Sequence, residues 1–389
     1  MNERWSRRAL LAAGGSAGLA ALAPPSFGTS MVFASLQELA HGKGFVFGSA
    51  LSTRGLQDAG YKQLIREQCG ILVAENEFKM PALEPAPGEF HFDRADALLA
   101  FAADAGLRMR GHNLVWHHPR WLPRWLETYD FGADAAHGAE ALLVNHVRTV
   151  ATHFGRRVVS WDVVNEAVDN VSGEMRETRL SQAMRSADAV LELAFRTARA
   201  ALPETELVYN DYMGWERSGG PHRDGVLKLL ERLRRKGVPV NALGIQGHIG
   251  AGNEDANAGR AFDARDESAW YAFLREVTGM GYQLLITEFD VHDAPLPADP
   301  AKRDREVAAL GRAFLDITLS FREVNAVLCW GLSDKYSWLQ SRAPRADGLP
   351  KRPAPFDDRF GPKPLFHEMA AAFRAAPWRP RTNITGQVV

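Results

Sequence analysis

The chain has 389 residues, 46% hydrophobic and 24% charged, with a formal net charge of −1 at neutral pH. That composition belongs to a soluble globular protein with a large core, and it excludes the broad basic field that draws a chain onto nucleic acid or an anionic membrane. Two cysteines, Cys69 and Cys329, cannot make a disulfide framework; each lies in or beside an apolar run, as small buried hydrophobes do.

At the N-terminus, Ser6-Arg7-Arg8 precedes an uncharged apolar run over residues 9–23. This is a basic region followed by a short hydrophobic one, too short for a convincing membrane span. The paired arginines with Leu10-Leu11 resemble a bacterial twin-arginine export signal; an ordinary export signal with a coincidental Arg-Arg is the alternative. Residues 1–34 are therefore expected to be a leader, and the mature protein to be periplasmic or secreted, with no stable membrane association.

Beyond the leader, short β-rich runs alternate with helical patterns. Strands are expected over residues 45–50, 71–74, 108–112, 158–163, 206–209, 242–247, 283–287 and 326–330. Segments 139–154, 183–201, 224–236 and 303–321 carry apolar residues at spacings of three and four, as amphipathic helices do. Eight such units favour a closed (β/α)8 barrel, an α/β fold, spanning residues 35–380, with 381–389 as a tail. Two stretches read as elaborated loops: the Gly/Asn/Asp-rich 250–266 and the Pro/Arg-rich 341–359.

The strand ends are polar: Glu75-Asn76, His112-Asn113, Asn165-Glu166, Asn210-Asp211, Gln246 with His248, and Glu288, with Trp330 closing the series. Polar groups at the carboxyl ends of successive parallel strands are costly unless they face a shared site, and barrel enzymes build their sites at that face. Glu166 and Glu288 each follow a strand directly, and in a barrel of eight those strands lie across the mouth. Paired carboxylates across a groove suit glycoside hydrolysis, one as proton donor and one as nucleophile or base. A salt bridge is the competing reading for either Glu alone. His248 is placed to contact Glu288 and keep it ionised, and Asp290 to hold His248 in one tautomer. No metal-ligand spacing accompanies these residues, so neither metal nor cofactor is expected.

Six segments in order resemble glycoside hydrolase family 10, the xylanases among clan A barrels. They are Glu75-Asn76-Glu77-Phe78-Lys79-Met80, Gly111-His112-Asn113-Leu114-Val115-Trp116-His117, Trp161 through Glu166, Gly244-Ile245-Gln246-Gly247-His248, Ile286-Thr287-Glu288-Phe289-Asp290, and Trp330-Gly331-Leu332-Ser333-Asp334 with Ser337-Trp338. The resemblance implies a retaining endo-1,4-β-xylanase acting as a monomer on xylan or xylo-oligosaccharides, with Glu166 as acid/base and Glu288 as nucleophile. It implies Asn165, His248 and Asp290 as catalytic support. Glu75, Asn76, Lys79, His112, Trp116, Asn210, Gln246, Trp330 and Trp338 would bind substrate. A broader β-1,4-glycanase or cellulase on the same barrel, or an inactive sugar-binding barrel, are the alternatives. The chain departs from the family's pattern at His118-Pro119-Arg120-Trp121, where a sugar contact on the reducing side is expected to change. Arg342, Arg345, Lys351 and Arg352 are candidates to meet uronic-acid branches; exposed and merely solvated is the competing reading.

Overall fold

The structure, a computed structural model, describes residues 34–250 and 265–380. The expected leader up to residue 33, most of the loop 250–266 and the expected tail 381–389 lie outside the described residues. Nine parallel strands run in chain order: β1 (Val46–Leu51), β2 (Ile71–Ala74), β3 (Arg108–Trp116), β4 (Ser160–Asn165), β5 (Glu206–Asp211), β6 (Ala242–Ile245), β7 (His248–Ile249), β8 (Gln283–Val291) and β9 (Val324–Cys329). Each of β1 to β6 pairs with its neighbours, β1 also pairs with β9, and the β6–β8 pairing closes the ring. The two-residue β7 only rides on β8. Eight strands thus form the expected (β/α)8 barrel, with helices between them.

Boundaries differ from the periodicity where local chemistry intervenes. β3 runs four residues past the expected end because Leu114 and Val115 are fully buried in the outer apolar layer. The sixth barrel strand stops at Ile245, two residues early, and Gly247 turns the chain at φ +79, a conformation glycine adopts without steric cost. The expected helix over 183–201 is two helices, Arg179–Met184 and Ala187–Ala201. Arg185 leaves the first at φ +57, and the Ser186 hydroxyl restarts the second by accepting from the Ala189 N–H at 3.1 Å.

The core has two layers. Alternate strand residues, among them Val46, Ala50, Ile71, Val73, Val208, Leu285 and Leu328, fill the lumen, while their neighbours pack outward under the helices. A polar chain crosses the lumen. The Arg110 guanidinium donates to Asp162 at 2.6 Å and to the Ser160 hydroxyl at 3.1 Å; that hydroxyl donates to Glu206 at 2.7 Å, and Glu206 also accepts from Asn325 at 2.9 Å. Burial alone would raise the Asp162 carboxyl, but the Arg110 charge and the His112 hydrogen bond outweigh it and hold it below its ordinary range.

Removing one partner of such a pair leaves the other charge buried and uncompensated. Asp162→Ala should destabilise the fold by about 3–5 kcal/mol, read as a lower urea midpoint with an unchanged slope.

Candidate active site

Three strands lose register at the mouth: β3 between His112 and Val115, β4 between Asp162 and Val164, and β8 between Ile286 and Phe289. Such irregularities re-aim side chains. In β4 both Val163 and Val164 pack into the outer layer, so the next residue, Asn165, turns to the mouth and carries Glu166 with it. Glu166 sits at φ +55, a left-handed conformation that costs a non-glycine residue roughly 1–2 kcal/mol.

What holds Glu166 there comes from β5 beneath it. The Glu166 N–H donates to the Asn210 carbonyl at 2.9 Å, and the Ala167 N–H donates to the Tyr209 hydroxyl at 3.1 Å. Tyr209, fully buried, donates in turn to Asp211. Asp211 also accepts from the Tyr212 N–H at 2.9 Å, and His222 Nε2 stands 3.1 Å from it. The strained residue is thereby pinned from both sides.

The Glu166 carboxyl accepts from the Gln246 amide at 2.7 Å, the Trp116 indole N–H at 2.9 Å and the Asn165 amide at 3.2 Å. Glu288 accepts from the Asn210 amide at 2.8 Å, and the same amide donates to the Asn165 carbonyl oxygen at 2.8 Å. Two side-chain amides therefore link the carboxyls. On its other oxygen Glu288 meets His248 Nε2 at 3.3 Å, and His248 Nδ1 meets Asp290 at 2.9 Å. Burial opposes a charged His248, but the charge and hydrogen bond of Asp290, with Glu288, push it up to about 10. Burial would also raise Glu288, yet the charge of His112 and the His248 hydrogen bond and charge outweigh it and lower the carboxyl.

Around this pair stand the remaining candidates. Lys79 lies 4.7 Å from the Trp116 ring centre and 5.8 Å from that of Trp330, and donates to Asn76 at 3.0 Å. Burial lowers the Lys79 ammonium, opposed by the charges of Glu288, Glu75 and Glu166; Glu75 is itself raised by burial. His112 contacts Trp330 edge-on at 5.2 Å and donates from Nδ1 to Asp162, 2.9 Å away. Trp338 donates its indole N–H to Asp290 at 2.7 Å and tilts over His248. Among the described residues no cluster of His, Cys, Asp or Glu has the form of a metal site.

Three of the four basic residues considered for uronic-acid contact point elsewhere. Arg345 is buried and bonds Asp347 and the Asp293 and Leu296 carbonyls; Lys351 is buried beside His292 and Asp293; Arg352 pairs with Asp304 at 2.7 Å. They tie the loop after β9 to the barrel, Lys351 and Arg352 through Asp293 and Asp304 and Arg345 through the Asp293 and Leu296 carbonyls. Arg342 alone stays exposed. Sequence reasoning assigned no role to Arg110, Asp162 or Tyr209, and marked Asp211 only as a polar strand end. The spacing of Tyr209 and Asp211, two apart on one strand face, was the available signal.

A (β/α)8 barrel with a buried carboxyl pair at its carboxyl mouth defines the class: a glycoside hydrolase. The Glycosyl hydrolase family 10 profile matches residues 35–372, and the chain belongs to that family. It is 29% identical to endo-1,4-beta-xylanase 5 of Pyricularia oryzae, over 92% of this chain and 85% of that one. Among solved structures it is similar to native xylanase 10B of Thermotoga maritima, with TM-score 0.76, 29% identity and coverage of 88% and 98% of the two chains. Xylanase 10B of Thermotoga petrophila, solved with xylobiose, has TM-score 0.76 and 29% identity, covering 89% and 98%.

Tyr209→Phe removes the hydroxyl between Ala167 and Asp211 while leaving the ring's packing. Turnover should fall about 10- to 100-fold, the cost of a misplaced reacting group, with an unchanged circular dichroism spectrum.

Proposed function

We propose that the protein is a retaining endo-1,4-β-xylanase. The observation that carries the reading is the asymmetry of the two buried carboxyls. The charge of His112 and the hydrogen bond and charge of His248 hold Glu288 ionised, while Glu166 accepts from the neutral N–H groups of Gln246, Trp116 and Asn165. In the first step Glu288 attacks the anomeric carbon and Glu166 gives its proton to the departing glycosidic oxygen, leaving a glycosyl ester on Glu288. Esterification removes the Glu288 charge, so Glu166, now ionised, takes a proton from water. That water attacks the anomeric carbon, and Glu288 leaves as a carboxylate.

Asn165, His248 and Asp290 act as support in this scheme. Glu75, Asn76, Lys79, His112, Trp330 and Trp338 line the sugar path. Asn210, Gln246 and Trp116 have a second duty, since their N–H groups already hold the carboxyls. The xylanases of Pyricularia oryzae and Thermotoga maritima, to which the chain is similar, support xylan over other β-glycans. Export of the chain by way of residues 1–34, a catalytic domain over 35–380 and a monomeric state belong to the same proposal. No helix among the described residues is long and apolar enough to cross a membrane.

Product analysis on linear xylan and carboxymethyl-cellulose tests the substrate. Xylo-oligosaccharides from the first, little from the second and none from Glu288→Ala are expected; comparable glucan cleavage would overturn the xylan assignment. Proton NMR of the first product should show the β anomer, and a crystal structure should place the carboxyl groups about 5–5.5 Å apart.

The histidine also makes a pH prediction. His248→Ala removes a cation that favours the Glu288 carboxylate, so its pKa rises. The acid limb of kcat/KM should move to higher pH by about one unit, and an unmoved limb would remove His248 from that role.

A further inference from the structure

The loops that follow β3 and β9 meet above the mouth. Trp121, from the first loop, stacks on Trp116 with ring centres 5.1 Å apart, and Trp116 is the residue whose indole N–H reaches Glu166. The Arg120 guanidinium lies 4.8 Å from the centre of the Trp121 ring. That of Arg342, from the short helix Leu339–Arg342 in the second loop, lies 4.9 Å from the same centre. Two cations from loops far apart in the chain are thus brought against one indole.

Neither guanidinium has a carboxylate partner among the described residues, and both side chains are exposed. The contrast is with Arg345 and Arg352 in the same loop region, each of which has its own aspartate within 2.7 Å. The Trp121 indole N–H is buried and meets no acceptor among the described residues. Two exposed guanidinium groups converge here without a carboxylate among the described residues, and the guanidinium fork matches a carboxylate. The aromatic faces beside it suit a sugar ring.

We propose that Arg120, Trp121 and Arg342 form a binding site for the carboxylate of a uronic-acid unit carried by the oligosaccharide in the cleft. The site is one indole away from Trp116, so a ligand reaching both lies against the carboxyl pair. The inference rests on the xylanase reading and adds to it the class of branched substrate that the enzyme favours.

The test compares a xylo-oligosaccharide bearing one glucuronosyl branch with the same compound after reduction of its carboxyl group to an alcohol. The full-length enzyme should show kcat/KM about five- to tenfold higher on the acid than on the reduced form. The preference should shrink in 0.5 M salt, as charge-based recognition does. In Arg120→Gln/Arg342→Gln the ratio should fall to near unity, and Arg342→Lys should keep part of it. Reading the ratio on one variant separates the branch contact from any general loss of activity or folding. A ratio of one in the unaltered enzyme, a ratio the double variant leaves intact, or a preference insensitive to salt would overturn the site. Linear xylotetraose is run alongside. If it is not cleaved, the xylanase reading itself fails; if it is cleaved and the ratio is one, only this site does.

Discussion

Two carboxyl groups, each 5% exposed, share one barrel mouth. Two like charges in so dry a place would be prohibitive without compensation, and much of the surrounding structure supplies it. Lys79 stands near both carboxyls, and the histidines add to one of them. His248, backed by Asp290, and His112, backed by Asp162 and Arg110, both face Glu288. Glu166 accepts from the neutral N–H groups of Gln246, Trp116 and Asn165. The asymmetry favours the charged form of Glu288, as the proposed two-step displacement asks of its nucleophile.

The same constraint reaches down into the lumen. Arg110 is a cation in the barrel's centre, neutralised by Asp162 and linked through Ser160 to Glu206. It fixes the acid that orients His112, so the polar lumen and the catalytic mouth are one network. A wholly apolar lumen would pack as well, but it would leave His112 unoriented under Glu288. The strained backbone at Glu166 fits this picture. The cost of its left-handed conformation is borne by the β5 contacts of Asn210 and Tyr209, which belong to the rigid wall and not to a loop.

Above the mouth the chain spends aromatic residues. Trp116, Trp330 and Trp338 each do more than present a face: two donate indole N–H groups to acids of the site, and Trp330 braces His112. Aromatic rings are stiff, with few rotatable bonds, and hold such geometry at small entropic cost. Lys79 between two of these rings keeps its ammonium near the carboxyls without forming a direct pair with either.

Much of the fold was legible before any coordinates. The alternation of apolar strands with helical periodicity specified eight βα units, and the polar strand ends located the mouth, because burial chemistry is local and repeats along the chain. Glu166 and Glu288 stood out for the same reason: each interrupts an apolar strand at its carboxyl end. What tertiary structure alone decided are the contacts that depend on register and on side chains from distant segments. The β-bulge that turns Val163 and Val164 outward, the Asn165–Asn210 link between carboxyls and the Tyr209 hydroxyl under Ala167 leave no periodic trace. The basic loop after β9 shows the difference most plainly. Arg342, Arg345, Lys351 and Arg352 are all basic side chains of one loop, yet Lys351 and Arg352 turn inward to Asp293 and Asp304, Arg345 to the Asp293 and Leu296 carbonyls, and Arg342 stays at the surface over Trp121. Which charge is neutralised depends on what lies within a few ångströms, and that is set by the closed barrel.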